Sequence, residues 1–222
     1  MSTINVAIDG PAGAGKSTIA KMAAAKKEFI YVDTGAMFRA IALHCSRLNI
    51  KAKDKENIIK ASKKANVEIK YIDGEQKVIL NGEDVNAFIR TEEISQMTST
   101  ISAYPEVREI LLGLQRDIAA KNNVIMDGRD IGSNVLPNAD VKIYLTASVE
   151  TRAMRRYKEQ IEKGYDVSLE NIKEDIEKRD YQDMHRECAP LTIADGAYVL
   201  DSSDMSIEEV VEEIISRIDG IK

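Results

Sequence analysis

Two cysteines and two histidines in 222 residues leave little material for a metal centre or a disulfide framework. Cys45 and Cys188 have no metal-like spacing and read as reduced thiols in the core or at its boundary. His44 and His185 lack any base-and-nucleophile partner pattern and are given no catalytic role. No apolar run approaches the roughly 18 residues that cross a bilayer. The start Met1-Ser2-Thr3-Ile4-Asn5 has no basic segment and leads directly into an apolar stretch, so no signal peptide is expected. Internal repeats and low-complexity linkers are absent too. The net charge of −6 argues against a nucleic-acid polymer as partner. These absences point to one cytoplasmic domain over residues 1–222, without a membrane partner, in which a 44% hydrophobic composition can fill a core.

The arginines are unevenly spread in this acidic chain. Arg39, Arg108, Arg129, Arg152, Arg155, Arg156, Arg179 and Arg186 lie in or near candidate site segments. Local gathering of guanidinium groups suits small, highly charged anions.

One loop names the anion. Gly10-Pro11-Ala12-Gly13-Ala14-Gly15-Lys16-Ser17-Thr18 follows the apolar run Ile4–Ile8 and precedes a helical pattern. It fits G-x-x-x-x-G-K-[ST] in the context that motif requires. Glycines let the backbone turn its N–H groups onto phosphate, and the following helix points its positive end at the same place. Lys16 can reach the β- and γ-phosphates, and the Ser17 hydroxyl can ligate Mg²⁺.

Short apolar runs then alternate with helical patterns. Ile4–Ile8 precedes a helix over about Lys16–Lys27, and Phe29–Val32 precedes one over Gly35–Leu48. A helix over about Glu106–Ala120 leads to Val124–Met126. Val141–Leu145 precedes Val149 to about Glu162, and Tyr198–Leu200 precedes Ile207–Ile218. This alternation predicts an α/β fold: a parallel five-stranded sheet with helices on both faces. One stretch breaks the rhythm. Val67–Ile72 alternates, Asp73-Gly74 marks a turn, Lys77–Leu80 returns, and Asn81-Gly82 turns again before Asp84-Val85. This small antiparallel insert, about residues 62–100, is flanked by helices at about Lys55–Ala65 and Thr91–Ile101.

Several segments admit both a functional and a plain structural reading. Asp33-Thr34-Gly35 ends a strand with Arg39 one turn later, which suits a second phosphate beyond the strand end or simple helix capping. Asp127-Gly128-Arg129-Asp130 follows a core strand, where an acid can hold Mg²⁺ through water and Arg129 can bridge two phosphates. Arg152, Arg155 and Arg156 share a helix face, with Glu150 and Glu159 near enough to pair. They are either a solvated ion-pair face or a mobile arm over about residues 152–167, hinged at Gly164. Arg179, Asp183 and Arg186 fall at i, i+4 and i+7, either a surface ladder or a ribose and phosphate site.

Taken in order, these motifs resemble the bacterial cytidylate kinase family across nearly the full length. The resemblance rests on Ile8–Ser17, Asp33–Arg39, Val107-Arg108, Asp127–Asp130 and Arg179-Asp180 through Arg186–Leu191. It implies a nucleoside monophosphate kinase fold with a core, a monophosphate-binding insert and a short helical lid. It also implies transfer of the ATP γ-phosphate to CMP or dCMP with Mg²⁺, by a monomer. The resemblance places ATP at residues 10–18 and Arg155, with Lys16, Arg129, Arg152 and Arg156 at the chemistry. It places the cytosine at Ser99, Arg108 and Asp130, and the acceptor phosphate at Thr34, Arg39, Arg129 and Arg186. The ribose falls at Asp183 and Arg179, and the metal at Ser17 with Asp127 through water. Glu28 departs from the family's glycine at the end of the first helix, and Ser133 from its commoner threonine. Other small-molecule P-loop kinases share the loop and the arginines. A guanine-nucleotide switch would want an N-K-x-D reader, which this sequence lacks.

Overall fold

The computed structural model of the protein describes residues 3–72 and 74–221. Met1 and Ser2 of the expected chain start, Asp73 of the expected Asp73-Gly74 turn, and Lys222 lie outside the described residues. Five strands form the main sheet: β1 (Asn5–Asp9), β2 (Ile30–Asp33), β6 (Val124–Gly128), β7 (Val141–Thr146) and β8 (Tyr198–Asp201). Their order is β2-β6-β1-β7-β8, with β1 parallel to both neighbours and β7 parallel to β8. A second sheet joins β3 (Val67–Ile72), β4 (Glu75–Leu80) and β5 (Glu83–Asp84) in antiparallel register. The helices are α1 (Lys16–Lys27), α2 (Thr34–Arg47), α3 (Lys55–Ser62), α4 (Glu92–Ile101), α5 (Pro105–Lys121), α6 (Val149–Glu162), α7 (Leu169–His185) and α8 (Ile207–Asp219). The expected fold class, a parallel five-stranded sheet plus a small antiparallel one, is present.

The chain divides into two compact units, Met1–Tyr31 with Asn122–Lys222, and Val32–Lys121. In the first, β1 is buried from Val6 to Asp9, so its apolar residues face both ways. Val6 and Ile8 pack with Ile125, Ile143, Leu145 and Leu200 against Ile19, Ala20 and Ala23 of α1 and Val210, Val211 and Ile214 of α8. Helix α8 begins with a reciprocal capping box between Ser206 and Glu209, which satisfies two orphan backbone donors. Helices α6 and α7 join through Ala153, Ile172 and Ile176, with Val149 and Tyr157 at the margin.

In the second unit, α2 is the central element. Met37, Ala40, Ile41 and Cys45 meet Val78 and Leu80 of β4, Ile94, Met97 and Ile101 of α4, and Val107 and Leu111 of α5. Both cysteines are free thiols, Cys45 buried and Cys188 partly so.

Boundaries move for local reasons. The Asp33 side chain accepts from the Ala36 N–H at 2.9 Å, so α2 starts one residue earlier than its apolar pattern. Thr91 caps α4 in the same way through the Ile94 N–H. β6 runs on to Gly128, so Asp127 sits within the strand rather than beyond it. Asp130 leads into a five-residue π-helix, Ile131–Val135, that the sequence pattern does not signal. No described helix is long and apolar enough to cross a membrane.

Candidate active site

The phosphate loop is set by steric necessity at its first residue. Gly10 has φ +151°, and a Cβ there would lie 2.0 Å from the Leu145 carbonyl oxygen of β7. The loop ends on Gly15 at φ +85°, a left-handed position directly before α1. Both ends are therefore fixed by conformations that side chains avoid.

The middle of the loop is held by an ion pair. The Arg152 guanidinium donates to the Ala12 carbonyl at 2.9 Å and pairs with Asp180 at 2.7 Å. Asp180 in turn accepts from the Ala12 N–H at 3.3 Å. Arg152 Nε is spent on the Ala147 carbonyl at 2.9 Å, and the residue is only 4% exposed. Of the two readings offered for this face, the solvated ion-pair face does not hold at Arg152, which is withdrawn from water. Arg152 is buried because it lies beside the apolar stripe of α6 that packs on α7. Arg155 is anchored too, donating to the Ser202 hydroxyl and carbonyl just past β8. Arg156 is half-buried on the same helix. Glu150 pairs with Lys173 and Glu159 with Lys163. Gly164, at φ +80°, stops α6, with the Tyr165 N–H reaching back to the Gln160 carbonyl.

Beneath the loop, Lys16 is 6% exposed and donates to the Pro11 carbonyl at 2.7 Å. Burial, and then the neighbouring Arg129 charge, push the Lys16 ammonium well below its ordinary pKa. Ser17 Oγ donates to Asp127 at 3.0 Å, and the Tyr31 hydroxyl donates to the other Asp127 oxygen at 2.8 Å. Ser17 and Asp127 are hard oxygen ligands, side by side at the foot of a phosphate loop. Mg²⁺ takes few protein ligands of this kind and completes its shell with water and phosphate, so the pair fits that ion. No cluster of three or more His, Cys, Asp or Glu residues could hold a metal among the described residues.

A second group of charges lies in the same unit. Arg129 Nε donates to Asp183 at 2.7 Å. Burial opposes the Arg129 charge, but Asp183 and then Asp127 outweigh it and hold its pKa above the ordinary value. Arg186 pairs with Asp130 at 3.4 Å and lies 4.0 Å from Asp183. The expected i, i+4, i+7 face is corrected here. α7 ends at His185 and Arg186 is extended, at φ −68° and ψ 142°. The chain turns back instead, with Arg186 Nε on the Ala189 carbonyl and the Leu191 N–H on the Asp183 carbonyl. Arg186 therefore reaches Asp130 from beyond the helix, and its side chain is 7% exposed rather than part of a surface ladder. Arg179 stays on α7, half-buried, one turn before Asp183.

The remaining expected residues lie in the second unit. Thr34 is buried at the first turn of α2. Arg39 donates to Ser95 Oγ of α4 at 2.6 Å. Ser99 lies one turn further along α4, and its carbonyl accepts from Ser102 Oγ. Arg108 on α5 donates to the Ser102 carbonyl at 2.9 Å and stacks over Phe38, its guanidinium carbon 5.3 Å from the ring centre. Ser99 and Arg108 thus share the Ser102 turn.

Sequence reasoning missed two acids. Asp9, at the end of β1, accepts from the Ile131 and Gly132 N–H groups at 2.8 and 2.7 Å. Burial lifts its pKa to about 6, against the lowering effect of those two bonds. Its signal was an acid between the apolar run Val6–Ile8 and Gly10. Asp180 was legible as well, since it continues the buried stripe of Ile172 and Ile176 at four-residue spacing.

Comparison with known proteins gives consistent results. A family model described as "Cytidylate kinase" matches residues 6–220. The cytidylate kinase of Caldicellulosiruptor bescii is 49% identical over 215 residues, covering 97% of this chain and 95% of that protein. That of Caldanaerobacter subterraneus subsp. tengcongensis is 51% identical over 216 residues, covering 97% and 95%. That of Bacillus subtilis is 46% identical over 216 residues, covering 97% and 96%.

Proposed function

The chain belongs to the cytidylate kinase family, and from that premise we propose how its residues move a phosphoryl group from ATP to CMP or dCMP. The observation that carries the reading is the loop itself, clamped by Arg152 and Asp180 above Lys16 and the Ser17–Asp127 pair. Backbone N–H groups over residues 10–18 cradle the donor phosphates, and Lys16 neutralises charge that grows on the β–γ bridge. Lys16 is already short of solvation, so an arriving triphosphate restores the ammonium's stability and is bound the more tightly for it. Ser17 and Asp127 would hold Mg²⁺, which shields the phosphate oxygens from one another. Arg155 and Arg156 lie on the ATP side.

On the acceptor side, Thr34, Arg39, Arg129 and Arg186 take the monophosphate, Asp183 and Arg179 the ribose, and Ser99, Arg108 and Asp130 the pyrimidine edge. The Arg129–Asp183 and Arg186–Asp130 pairs keep these groups oriented before substrate arrives. The acceptor phosphate oxygen, largely ionised near pH 7, attacks the γ-phosphorus in line, without a covalent enzyme intermediate and without a strong base. The stretch over about residues 152–167 acts as a lid that excludes water, and residues 62–100 act as the monophosphate-binding insert. The enzyme works as a cytoplasmic monomer.

A coupled assay of ADP release with CMP, dCMP, UMP and AMP tests this reading. A site that hydrogen-bonds its base rejects mismatched partners by up to roughly 10⁴-fold. Kcat/KM for CMP or dCMP should exceed that for AMP by at least two orders of magnitude. Equal values for AMP and CMP would overturn the assignment.

A further inference from the structure

We propose that Gln76, on the small antiparallel sheet, is a positioning residue that holds the phosphate-binding end of α2. β2 is the edge strand of the main sheet, so the N–H and C=O of Asp33, which point to one side, face away from its neighbour. The Gln76 carboxamide meets both. Its Oε1 accepts from the Asp33 N–H at 2.8 Å, and its Nε2 donates to the Asp33 carbonyl at 3.3 Å. One side-chain amide thereby takes the place of a pairing strand for a single residue. The Asp33 carboxylate is engaged as well, by the Ala36 N–H at 2.9 Å and by Arg90 at 2.9 Å. The start of α2 is thus gripped at four atoms, directly before Thr34 and one turn before Arg39.

The grip reaches into the hairpin. Gln76, Val78 and Leu80 alternate along β4 and therefore share a face. Val78 and Leu80 are buried in the cluster built on α2. The hairpin is then part of the acceptor site's frame: a shift of β4 is carried to Thr34 by a two-point bond as well as by packing. Only a carboxamide can supply both halves of that bond, because a carboxylate has no donor for the Asp33 carbonyl.

This inference rests on Thr34 and Arg39 receiving the acceptor phosphate, and the experiment separates the two. KM for CMP, KM for ATP, kcat and melting temperature are measured for Gln76→Met, Gln76→Glu and Arg39→Ala. Methionine keeps the length and packing of glutamine but loses both bonds. It should raise KM for CMP about tenfold, as two modest hydrogen bonds predict, and leave KM for ATP within twofold. Glutamate should rescue nothing, since it lacks the donor and adds charge beside Asp33. If both Gln76 variants fold and leave KM for CMP within twofold while Arg39→Ala raises it, the positioning role is refuted and the acceptor site stands. If Arg39→Ala also leaves KM for CMP unchanged, the acceptor-site reading falls with it. A rise in both KM values in parallel with a lost melting temperature would assign Gln76 to general stability and overturn the proposal.

Discussion

Replacing Arg152 by methionine separates an arginine that clamps the loop from one that swings over ATP. In the structure the guanidinium serves Ala12, Ala147 and Asp180 together. Arg152 is 4% exposed and Asp180 8%, so the pair is withdrawn from water on both sides. Methionine fills most of the volume but leaves the Asp180 charge without its counter-ion, still accepting from the Ala12 N–H. Removing one partner of a buried ion pair costs about 3–5 kcal/mol, because the other charge is left without its counter-ion. The expected loss is therefore about 3–5 kcal/mol in urea unfolding at pH 7, followed by far-UV circular dichroism with ATP absent. Removing both charges, as Arg152→Met with Asp180→Leu, should recover most of that loss, because a buried pair seldom outperforms apolar replacements of like volume. In the double variant the loop keeps its fold but loses its clamp, so KM for ATP should stay raised. The clamp argument fails if Arg152→Met changes stability by less than about 0.5 kcal/mol, the size expected of an exposed arginine, while kcat collapses.

Three further outcomes are expected. Lys16→Ala should lower kcat by orders of magnitude with the melting temperature little changed, since a loop lysine acts on transition-state charge; near-normal turnover would remove it from the chemistry. Glu28 holds φ 56° and ψ 33° at the end of α1, so Glu28→Gly should raise stability by about 1 kcal/mol in thermal melts, and a decrease would contradict the strain assigned to it. Asp9 has a folded pKa near 6 against an ordinary 3.8, so its folded form binds protons the unfolded chain releases. Its contribution to stability is full below pH 3.8 and is lost as pH rises through 6, by about 3 kcal/mol in all. Asp9→Asn should flatten that part of the profile between pH 4 and 6, and should also place an amide donor against a backbone N–H. Identical pH slopes for the variant and the parent protein would show that Asp9 does not titrate there.

The sheet was legible because each strand is a short apolar run between helical periods, and the loop because glycine, lysine and serine fall at fixed offsets after a strand. The helix starts read from the sequence fall within a residue of the observed ones, and the side-chain caps of Asp33 and Thr91 explain two of the differences. Spacing showed that Arg152, Arg155 and Arg156 share a face, but not that the face lies against α7. That depends on Ile172 and Ile176, which come some twenty residues later. The position of Arg186 depends on where α7 stops, and the reversal at Ala189, in a left-handed conformation at φ 47°, has no glycine to mark it. Gln76 was beyond reach for a plainer reason. Its partner is Asp33, 43 residues earlier, and nothing in a polar residue on an alternating strand names so distant a backbone.

Asp180 and Asp183 stand less than one turn apart on α7, one tied to the phosphate loop through Ala12 and the other to Arg129. Inserting a single residue between them would rotate one against the other by about 100°, and no rotamer change could recover both attachments. Evolution is then free to rewrite the outward residues Tyr181 and Met184, but the distance between the two acids is as fixed as the spacing of teeth on a key.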